Sequence, residues 1–167
     1  MKLVREAIKV QSAGQRPTFH NVTDQVKEIV SRSGVKDGMC VIYSQHTTCS
    51  VITEEFSHDM TYFGLEYLQQ DLCNIMEKII PTCRSEGQYM HPGPKHIDSA
   101  MRLGTEEGEW VCLNTDAHLR SSIFGRSETI VIINGNLDLG RFSSIYFIDW
   151  DQIRARERTV QVQIIGE

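Results

Sequence analysis

The sequence lacks a hydrophobic run long enough to span a bilayer, and it lacks an excess of basic residues. Its 167 residues carry a net charge of −5, whereas proteins that bind nucleic-acid phosphates usually present a basic face. Charges stand at Lys2, Arg5 and Glu6, where a signal peptide would need its apolar core. These absences predict a cytoplasmic protein that binds neither membranes nor nucleic acid.

Closely spaced cysteines and the common metal and nucleotide motifs are also missing. The five cysteines form no CxxC pair, which predicts free thiols in a reducing compartment rather than a disulfide framework. No zinc-finger, HExxH, P-loop or GxGxxG spacing occurs. Cys49, three residues after His46, is the one thiol worth testing as a nucleophile. A functional site must therefore be assembled from residues that are distant in sequence.

The hydrophobic pattern predicts one α+β domain over residues 1–167, with a mixed or antiparallel sheet and two to three helices. The predicted strands cover residues 3–10, 39–43, 50–53, 129–133, 145–148 and 159–165. Helical spacing of apolar residues predicts helices over residues 22–30, 59–80 and 117–124. Residues 82–109 are rich in glycine, proline and charge, and are predicted to form a long functional loop.

Three histidines, His46, His91 and His118, stand among small or hydrogen-bonding residues at or near the ends of apolar segments. Neutral imidazoles are common ligands of divalent metals, so we expect these three to converge on one site that holds a metal, with Zn²⁺ as the first candidate. Asp116 is the expected N-cap of a helix that holds His118 in its first turn, where the helix dipole disfavours imidazolium. His96 competes with His91 on the same loop. A strand-end role for His46 and a satisfied core position for His118 are the alternatives.

Charged residues elsewhere could serve this site. Glu54 follows an apolar pair and is a candidate metal ligand, partner of a ligating imidazole, or general base. Arg154, Arg156 and Arg158 alternate and would face the same way in an extended chain, which suits a phosphate ester. A solvated strand face or a row of intersubunit salt bridges explains the three arginines equally well.

Small and hydroxyl-bearing residues are the predicted substrate contacts. Thr47 and Thr48 supply hydroxyls beside His46, and Tyr89 lies near His91. Gly135 and Gly140 bracket a predicted tight hairpin whose backbone could approach a ligand closely. These residues predict a pocket for a small molecule.

Taken together, the motifs resemble the YjbQ-like family, also called secondary thiamine-phosphate synthase enzymes. The similarity extends from about Thr23 to Gly166. It rests on the joint order of His46-Thr47-Thr48, Glu54, a long helix, Tyr89-x-His91, Asn114-x-x-x-His118-Leu119, Gly125-x-Ser127, Gly135-x-Leu137-x-Leu139-Gly140 and Arg154-x-Arg156.

The resemblance implies a homotrimer whose three histidines ring a pocket for a divalent metal such as zinc. The implied activity is a weak synthesis of thiamine phosphate, in which a hydroxymethylpyrimidine diphosphate reacts with a thiazole phosphate and releases pyrophosphate. A non-catalytic trimer that binds a metal or small molecule, or a metal-dependent hydrolase of a phosphorylated molecule, is the alternative. The resemblance places Glu54 and Asn114 close to this pocket, and the predicted catalytic residues are these two together with Asp116, Arg154 and Arg156.

The chain departs from the family in two places. Arg141-Phe142-Ser143 stands where the family usually has Thr-Trp-Gln, and the loop over residues 92–109 is extended. Both segments are expected to border the pocket, so we expect the ligand of this chain to differ from that of its relatives.

Overall fold

Alternating and fully apolar segments form the strands that carry the core. The computed structural model describes residues 1–103 and 108–167. Within these ranges every strand pair is antiparallel, which confirms the antiparallel form of the predicted sheet and not the mixed one. The strands are β1 (Lys2–Gln11), β2 (Thr18–Asn21), β3 (Gly38–Ser44), β4 (Cys49–Glu55), β5 (Ser127–Ile133), β6 (Asn136–Leu137), β7 (Ser143–Asp149) and β8 (Glu157–Gly166).

The strands form two sheets. A five-stranded sheet has the order β1-β8-β3-β5-β6, and a three-stranded sheet has the order β2-β7-β4. β1 pairs with β8 over ten residues, from Lys2 opposite Gly166 to Gln11 opposite Glu157. β3 lies between β8 and β5, so its hydrogen bonds are made on both sides. β3 is therefore the central strand that its apolar run predicts, although only one of its faces is buried, because Met39 and Tyr43 are exposed on the other.

The two sheets pack face to face, and α1 (Thr23–Ser33) closes one end of the core between them. Val26, Ile29 and Val30 of α1 are buried at the i, i+3 and i+4 positions of one helix face. They contact alternating residues such as Val162 of β8. The side chains at the centre of this face of the larger sheet are therefore buried, and those at its edges, such as Val4 and Val10, are partly buried.

The second face of the three-stranded sheet is covered by two helices, α2 (Tyr67–Ile79) and α4 (Thr115–Phe124). Trp150, just after β7, is completely buried there, and its ring stacks on Phe124 with centroids 5.2 Å apart. Its indole Nε1–H donates to the Ser50 hydroxyl at 2.9 Å. β7 is thus buried on both faces, with the helices on one side and the larger sheet on the other.

α2 begins at Tyr67, eight residues later than the predicted start at residue 59. Glu66 and Gln69 form a capping box, in which each side chain accepts a hydrogen bond from the backbone N–H of the other. Before this cap, Met60 forms an isolated bridge with Glu66, and Gly64 has a φ of +82°. Residues 59–65 thus have helical spacing of apolar side chains but are folded into a tight loop.

The segment predicted as a long loop contains α3 (Pro94–Arg102) and a short 3-10 helix (Glu109–Cys112). Pro94 occupies the first turn of α3, where proline has no missing hydrogen bond. Residues 104–107 of the predicted loop lie outside the described residues. The described residues therefore hold four α-helices rather than two or three, and none of these helices has the length and apolar character needed to cross a membrane.

Candidate functional site

The turn between β3 and β4 carries His46, Thr47 and Thr48. The Ser44 Oγ at the end of β3 accepts a hydrogen bond from the His46 backbone N–H at 3.2 Å. The Cys49 N–H then donates to the His46 carbonyl oxygen, also at 3.2 Å. These two bonds close the turn and hold the His46 side chain at the end of the larger sheet.

The His46 ring is fixed against the start of β8. Its Nε2 lies 3.0 Å from the Thr159 backbone nitrogen, and because a backbone N–H can only donate, Nε2 is the acceptor. Burial first, and then the nearby Arg158 charge, lowers the pKa of His46, which keeps the ring neutral at pH 7. The single ring proton is therefore on Nδ1. His46 has one N–H donor, and its one lone pair is already engaged.

Three other imidazoles contact one another. The rings of His91 and His96 lie 4.5 Å apart between centroids, and the rings of His91 and His118 lie 5.6 Å apart. His96 is in the first turn of α3 and His118 is in the first turn of α4, while His91 belongs to the loop before α3. The ring contacts therefore join two of the predicted histidines to His96.

The hydrogen bonds of His91 determine which of its nitrogens is available. The Thr115 hydroxyl donates its only proton to the His91 carbonyl oxygen at 2.6 Å. His91 Nδ1 lies 2.8 Å from the same hydroxyl oxygen, so the ring must be the donor in that contact. The lone pair of His91 is consequently on Nε2. A ligating histidine is commonly oriented by this kind of bond at its other nitrogen.

Burial also keeps His118 and His91 neutral. It lowers the pKa of His118, although a hydrogen bond to the Thr47 backbone and the charge of Asp151 act in the opposite direction. A backbone group that favours the protonated ring is a carbonyl accepting the ring N–H, so the other nitrogen of His118 carries a lone pair. Burial lowers the pKa of His91 as well, with smaller contributions from His96 and His118.

A buried ion pair between Arg158 and Asp149 contacts the turn that carries Thr48. Arg158 donates from Nε to Asp149 Oδ2 at 2.7 Å and from Nη2 to Oδ1 at 3.1 Å. Their side chains are 6% and 0% exposed. Burial alone would lower the pKa of Arg158, but the bonds and charge of Asp149 outweigh it and raise that pKa. Nη2 also donates to the Thr48 hydroxyl at 3.1 Å, which ties the predicted substrate contact Thr48 to the ion pair.

A second pair lies closer to solvent. Arg156 Nη2 donates to Asp151 Oδ2, and Asn114 Nδ2 donates to the same oxygen at 3.2 Å. The Nε of Arg156 is buried without a hydrogen-bond partner among the described residues. Burial, followed by the charges of Arg156 and Arg158, lowers the pKa of Arg154, so the three predicted arginines lie near one another.

Some of these groups, together with neighbouring residues, line an open pocket of about 330 Å³, called the histidine pocket below. This volume is at the lower end of the range for small-molecule sites. The pocket combines neutral imidazoles, threonine hydroxyls and guanidinium groups, a set of donors that suits an anionic ligand. Its lining residues are Gln45, His46, Thr47, Thr48, Asn114, His118, Arg156 and Arg158.

The donor set matches a divalent metal in chemistry but does not yet converge on one point. Among residues 1–103 and 108–167, no three His, Cys, Asp or Glu side chains are placed so that they could hold one metal ion. His46 and His118 line the same pocket, and His118 contacts His91. His118 is therefore near both other predicted ligands, but the three imidazoles do not surround a single position.

Glu54 lies at the far end of β4 from His46. It is paired with Ser144, whereas Cys49 at the start of the strand is paired with Asp149. Five residues of extended strand separate the two ends by roughly 16 Å. Burial, and then the charge of Glu66, raises the pKa of Glu54. The structure thus does not bring Glu54 to the histidine pocket.

Asp116 and Tyr89 make structural contacts. The Asp116 Oδ1 accepts a hydrogen bond from the Cys83 backbone N–H at 3.1 Å, and its Oδ2 lies 3.8 Å from Arg120 Nη1. Burial raises the pKa of Asp116. The Tyr89 hydroxyl donates to the Pro81 carbonyl oxygen. Both side chains anchor the segment that follows α2, and neither lines the histidine pocket.

The two predicted glycines and the candidate thiol are also placed elsewhere or enclosed. Gly135, with a φ of +79°, turns the β5–β6 hairpin, and Gly140 accepts a bond from the Ser143 N–H at 2.9 Å. Cys49 is fully buried, with its Sγ 3.5 Å from Asp149 Oδ1. Burial and this carboxylate raise the pKa of Cys49 far above its usual range, so the thiol is unsuited to nucleophilic attack.

Two carboxylates that organise the pocket, Asp149 and Asp151, were not predicted from the sequence. Asp149 is the last residue of the apolar strand β7 and Asp151 follows two residues later, and polar residues at such a strand end were the available signal. His96 was considered only as a competitor of His91. His96 lies two residues after Pro94, and proline often begins a helix. This position was the signal that could have identified His96 as a residue near the site.

The fold and the pocket define a small α+β protein with imidazole and guanidinium groups gathered at the edge of an antiparallel sheet. A sequence model of UPF0047 proteins, described as YjbQ-like, matches residues 6–167, and the chain belongs to this family. It is 29% identical to a UPF0047 protein of Methanocaldococcus jannaschii over 168 residues, which cover 100% of this chain and 99% of the relative. A UPF0047 protein of Archaeoglobus fulgidus is 28% identical over 147 residues, covering 88% of this chain and 92% of the relative.

Solved structures agree with this assignment. A Sulfolobus solfataricus protein, described as YbjQ-like and of unknown function, superposes with a TM-score of 0.76 and 25% identity, covering 99% of both chains. A Clostridium acetobutylicum protein of the YjbQ/UPF0047 family gives a TM-score of 0.68 and 28% identity, covering 97% of this chain and 99% of the other. The extended similarity places the whole described chain within one family fold.

Proposed function

We propose that the pocket beside His46 binds the phosphate of a small molecule. The observation that supports this most is the Nε of Arg156, which is buried and has no partner among the described residues. A buried guanidinium N–H without a partner costs free energy, and an anionic oxygen would satisfy it. The Nδ1–H of His46 is a second donor for the same ligand.

The finer proposal is the reaction implied by the resemblance, a thiamine-phosphate synthase-like transfer. The thiazole nitrogen would form a bond to the pyrimidine methylene carbon while the carbon–oxygen bond to pyrophosphate breaks, and the electron pair leaves with pyrophosphate. Arg154 and Arg156 would stabilise the charge that develops on the departing group. The Arg158–Asp149 pair would hold the floor of the pocket in place during this step.

A divalent metal, expected to be Zn²⁺, is part of the same proposal. His91 and His118 each have a lone pair and a second nitrogen that is already oriented, which fits the way ligating histidines are held. When bound, such a metal would act as a Lewis acid toward a phosphoryl oxygen. His46, His91 and His118 are the ligands that the resemblance implies.

We also propose self-association, expected as a homotrimer. Met39 and Val131 are 47% and 53% exposed on the outer face of the five-stranded sheet, and a second copy of the chain is the occupant that the resemblance implies. Gln45 lines both a depression on this face and the histidine pocket, so the covered face would border the site. Val131→Glu should lower the mass measured by analytical ultracentrifugation, whereas Ser31→Glu on α1 should not. Equal masses for both variants would argue against this face.

Binding of inorganic pyrophosphate, followed by calorimetry, tests the phosphate site. Loss of one charge-assisted hydrogen bond is worth about 1.5–3 kcal/mol, so Arg156→Gln should weaken binding roughly 10- to 100-fold. Arg16→Gln is the matched control, because Arg16 lies over Phe63 in a different pocket. Unchanged affinity of Arg156→Gln for pyrophosphate would contradict the proposed phosphate site.

Catalysis is tested separately by mass spectrometry of reaction mixtures with and without Zn²⁺. Formation of thiamine phosphate supports the transferase, and release of inorganic phosphate from a phosphorylated substrate supports the hydrolase. Tight pyrophosphate binding without any product favours the non-catalytic binding protein, the second candidate function.

A further inference from the structure

We propose that a second pocket, at the start of β7, binds a small aromatic molecule that carries a negative charge. This pocket, called the aromatic pocket below, has a volume of about 680 Å³, within the range of small-molecule sites. It lies between the end of β2, the first turns of α1, the chain after β4 and the chain before β7. Its lining residues are Asn21, Thr23, Asp24, Lys27, Phe56, His58, Arg141, Phe142, Ser143 and Ser144.

The aromatic pocket is separate from the histidine pocket. Ser143 begins β7, and Asp149, which pairs with Arg158, ends it. An extended strand of this length spans roughly 20 Å, and the two pockets share no lining residue among those that the structure describes. The segment Arg141-Phe142-Ser143 was expected to border the predicted histidine site, but it lies at this second pocket instead. A ligand here is therefore independent of the proposed phosphate site.

Three aromatic side chains give the pocket apolar walls. The rings of Phe56 and His58 meet at 82°, with centroids 4.6 Å apart. Phe142 is the neighbour of Phe56 across the two strands, because its carbonyl oxygen accepts the Phe56 N–H at 3.3 Å. Phe56 and Phe142 are 38% and 64% exposed, so their rings leave apolar surface in contact with water. A planar ring bound against them would remove this surface from water.

The turn that carries His58 is fixed by a buried carboxylate. Glu66 is 4% exposed, and it accepts the Ser57 N–H at 2.7 Å through Oε2 and the Tyr146 hydroxyl through Oε1. The Ser57 carbonyl oxygen in turn accepts the Asp59 N–H at 2.8 Å. Between these two bonds His58 has a φ of +65°, which is uncommon for a residue with a side chain. A wall that is held in place before binding lowers the entropic cost of binding.

Two cations line the same pocket. Neither Lys27 nor Arg141 forms an ion pair within residues 1–103 and 108–167. The guanidinium carbon of Arg141 lies 5.3 Å from the Phe142 ring centroid, so its charge stands beside the exposed ring. Asp24 is the one carboxylate among the described residues that line the pocket, which leaves an excess of positive charge. In a chain with a net charge of −5, such a pocket favours an anionic ligand.

A second arginine–phenylalanine pair offers a comparison. The guanidinium carbon of Arg16 lies 5.0 Å from the ring centroid of Phe63, which is 63% exposed. These two residues border a smaller cavity of about 400 Å³, and Phe63 is the one aromatic residue among its described lining residues. A single ring gives no second apolar wall, so we expect no aromatic ligand there.

The experiment uses two fluorescent probes with the same rings, 8-anilinonaphthalene-1-sulfonate, which is an anion, and N-phenyl-1-naphthylamine, which is neutral. Fluorescence titration measures the dissociation constant of each probe. Phe142→Ser should weaken the binding of both probes about fivefold or more, because both depend on ring contact. Arg141→Gln should weaken the binding of the anionic probe about threefold and leave that of the neutral probe unchanged.

Phe63→Ser and Arg16→Gln are the matched controls, because they alter a phenylalanine of nearly equal exposure and the arginine over its ring. Both controls should bind the two probes as the unaltered protein does. A loosened fold would bind more of the anionic probe, which is opposite to the change expected for Phe142→Ser. The proposal is overturned by absence of saturable binding of the anionic probe, by equal affinities of Phe142→Ser and Phe63→Ser, or by an equal effect of Arg141→Gln on both probes.

Discussion

Replacing Arg158 with methionine should be the most damaging change in the pocket, because it leaves the Asp149 carboxylate buried without its counter-charge. The two side chains are 6% and 0% exposed, and removing one partner of such a pair costs about 3–5 kcal/mol. Among the residues that the structure describes, Asp149 would keep the Asp151 N–H at 3.1 Å and the Cys49 thiol at 3.5 Å. For a chain of this length, the loss corresponds to a fall in Tm of about 10 °C.

A second substitution distinguishes an uncompensated buried charge from a simple loss of contacts. The two explanations predict changes in stability of opposite sign. Asp149→Asn should destabilise the unaltered protein, because the bidentate pair is lost. In the Arg158→Met background the same change should restore about 1–3 kcal/mol, because it removes the uncompensated buried charge. The asparagine oxygen can still accept the Asp151 N–H, so the backbone after β7 keeps its bond.

Urea unfolding, followed by the fluorescence of the fully buried Trp150, measures these free energies, and unchanged m-values would show that the transitions are comparable. Lys9→Met is the matched control, because the Lys9–Glu157 pair is 59% and 62% exposed and should be worth at most about 1 kcal/mol. The reasoning is refuted if Arg158→Met costs no more than Lys9→Met, or if the Asp149 and Arg158 substitutions are simply additive.

Two further predictions concern residues outside the pocket. Burial lowers the pKa of His20 below 6.5, so the folded state binds fewer protons than the unfolded state and stability is lost as the pH falls below about 6.5. His20→Gln should therefore lose less stability than the unaltered protein between pH 6.5 and 5 in thermal melts, and parallel pH curves would contradict this. Gly38→Ala should lose more than about 1 kcal/mol in urea unfolding, because the added Cβ would lie 2.2 Å from the Ile165 carbonyl oxygen. Gly93→Ala, whose Cβ would meet nothing closer than 4.0 Å, should stay within about 0.5 kcal/mol, and equal losses would show that the close approach at Gly38 is relieved by backbone movement.

The parts of the fold that the sequence predicted well are those where local pattern and final burial agree. β8 is the best example, because its alternating apolar residues are the ones that are buried. β3 and β5 were predicted as strands from continuous apolar runs, but their burial alternates, and Met39 and Val131 are exposed on the outer face. The start of α2 was wrong because Phe63 and Leu65 continue the helical spacing of apolar residues although the chain there is a loop. The capping box at Glu66 was the stronger signal.

The site was less predictable, because its chemistry depends on partners far along the chain. His46 and Thr159 are 113 residues apart, and only their contact shows that the His46 lone pair is engaged. Arg158 was considered as an anion-binding candidate from its spacing, whereas its burial against Asp149 follows from how β7 and β8 pack. Local sequence identified the residue types at the site, while the three-dimensional contacts assigned which atom of each is available.

The pairing of β1 with β8 along ten residues has a consequence for how the chain matures during translation. β8 also completes one side of β3, so the first and third strands leave the ribosome long before the strand that lies between them is made. Until then, the hydrophobic edge of β3 lacks a partner and is open to association with other nascent chains. Arg158 belongs to that last strand, so neither the larger sheet nor the pocket can form before β8 has been synthesised. During translation, the sheet and the pocket therefore both depend on the same ten residues.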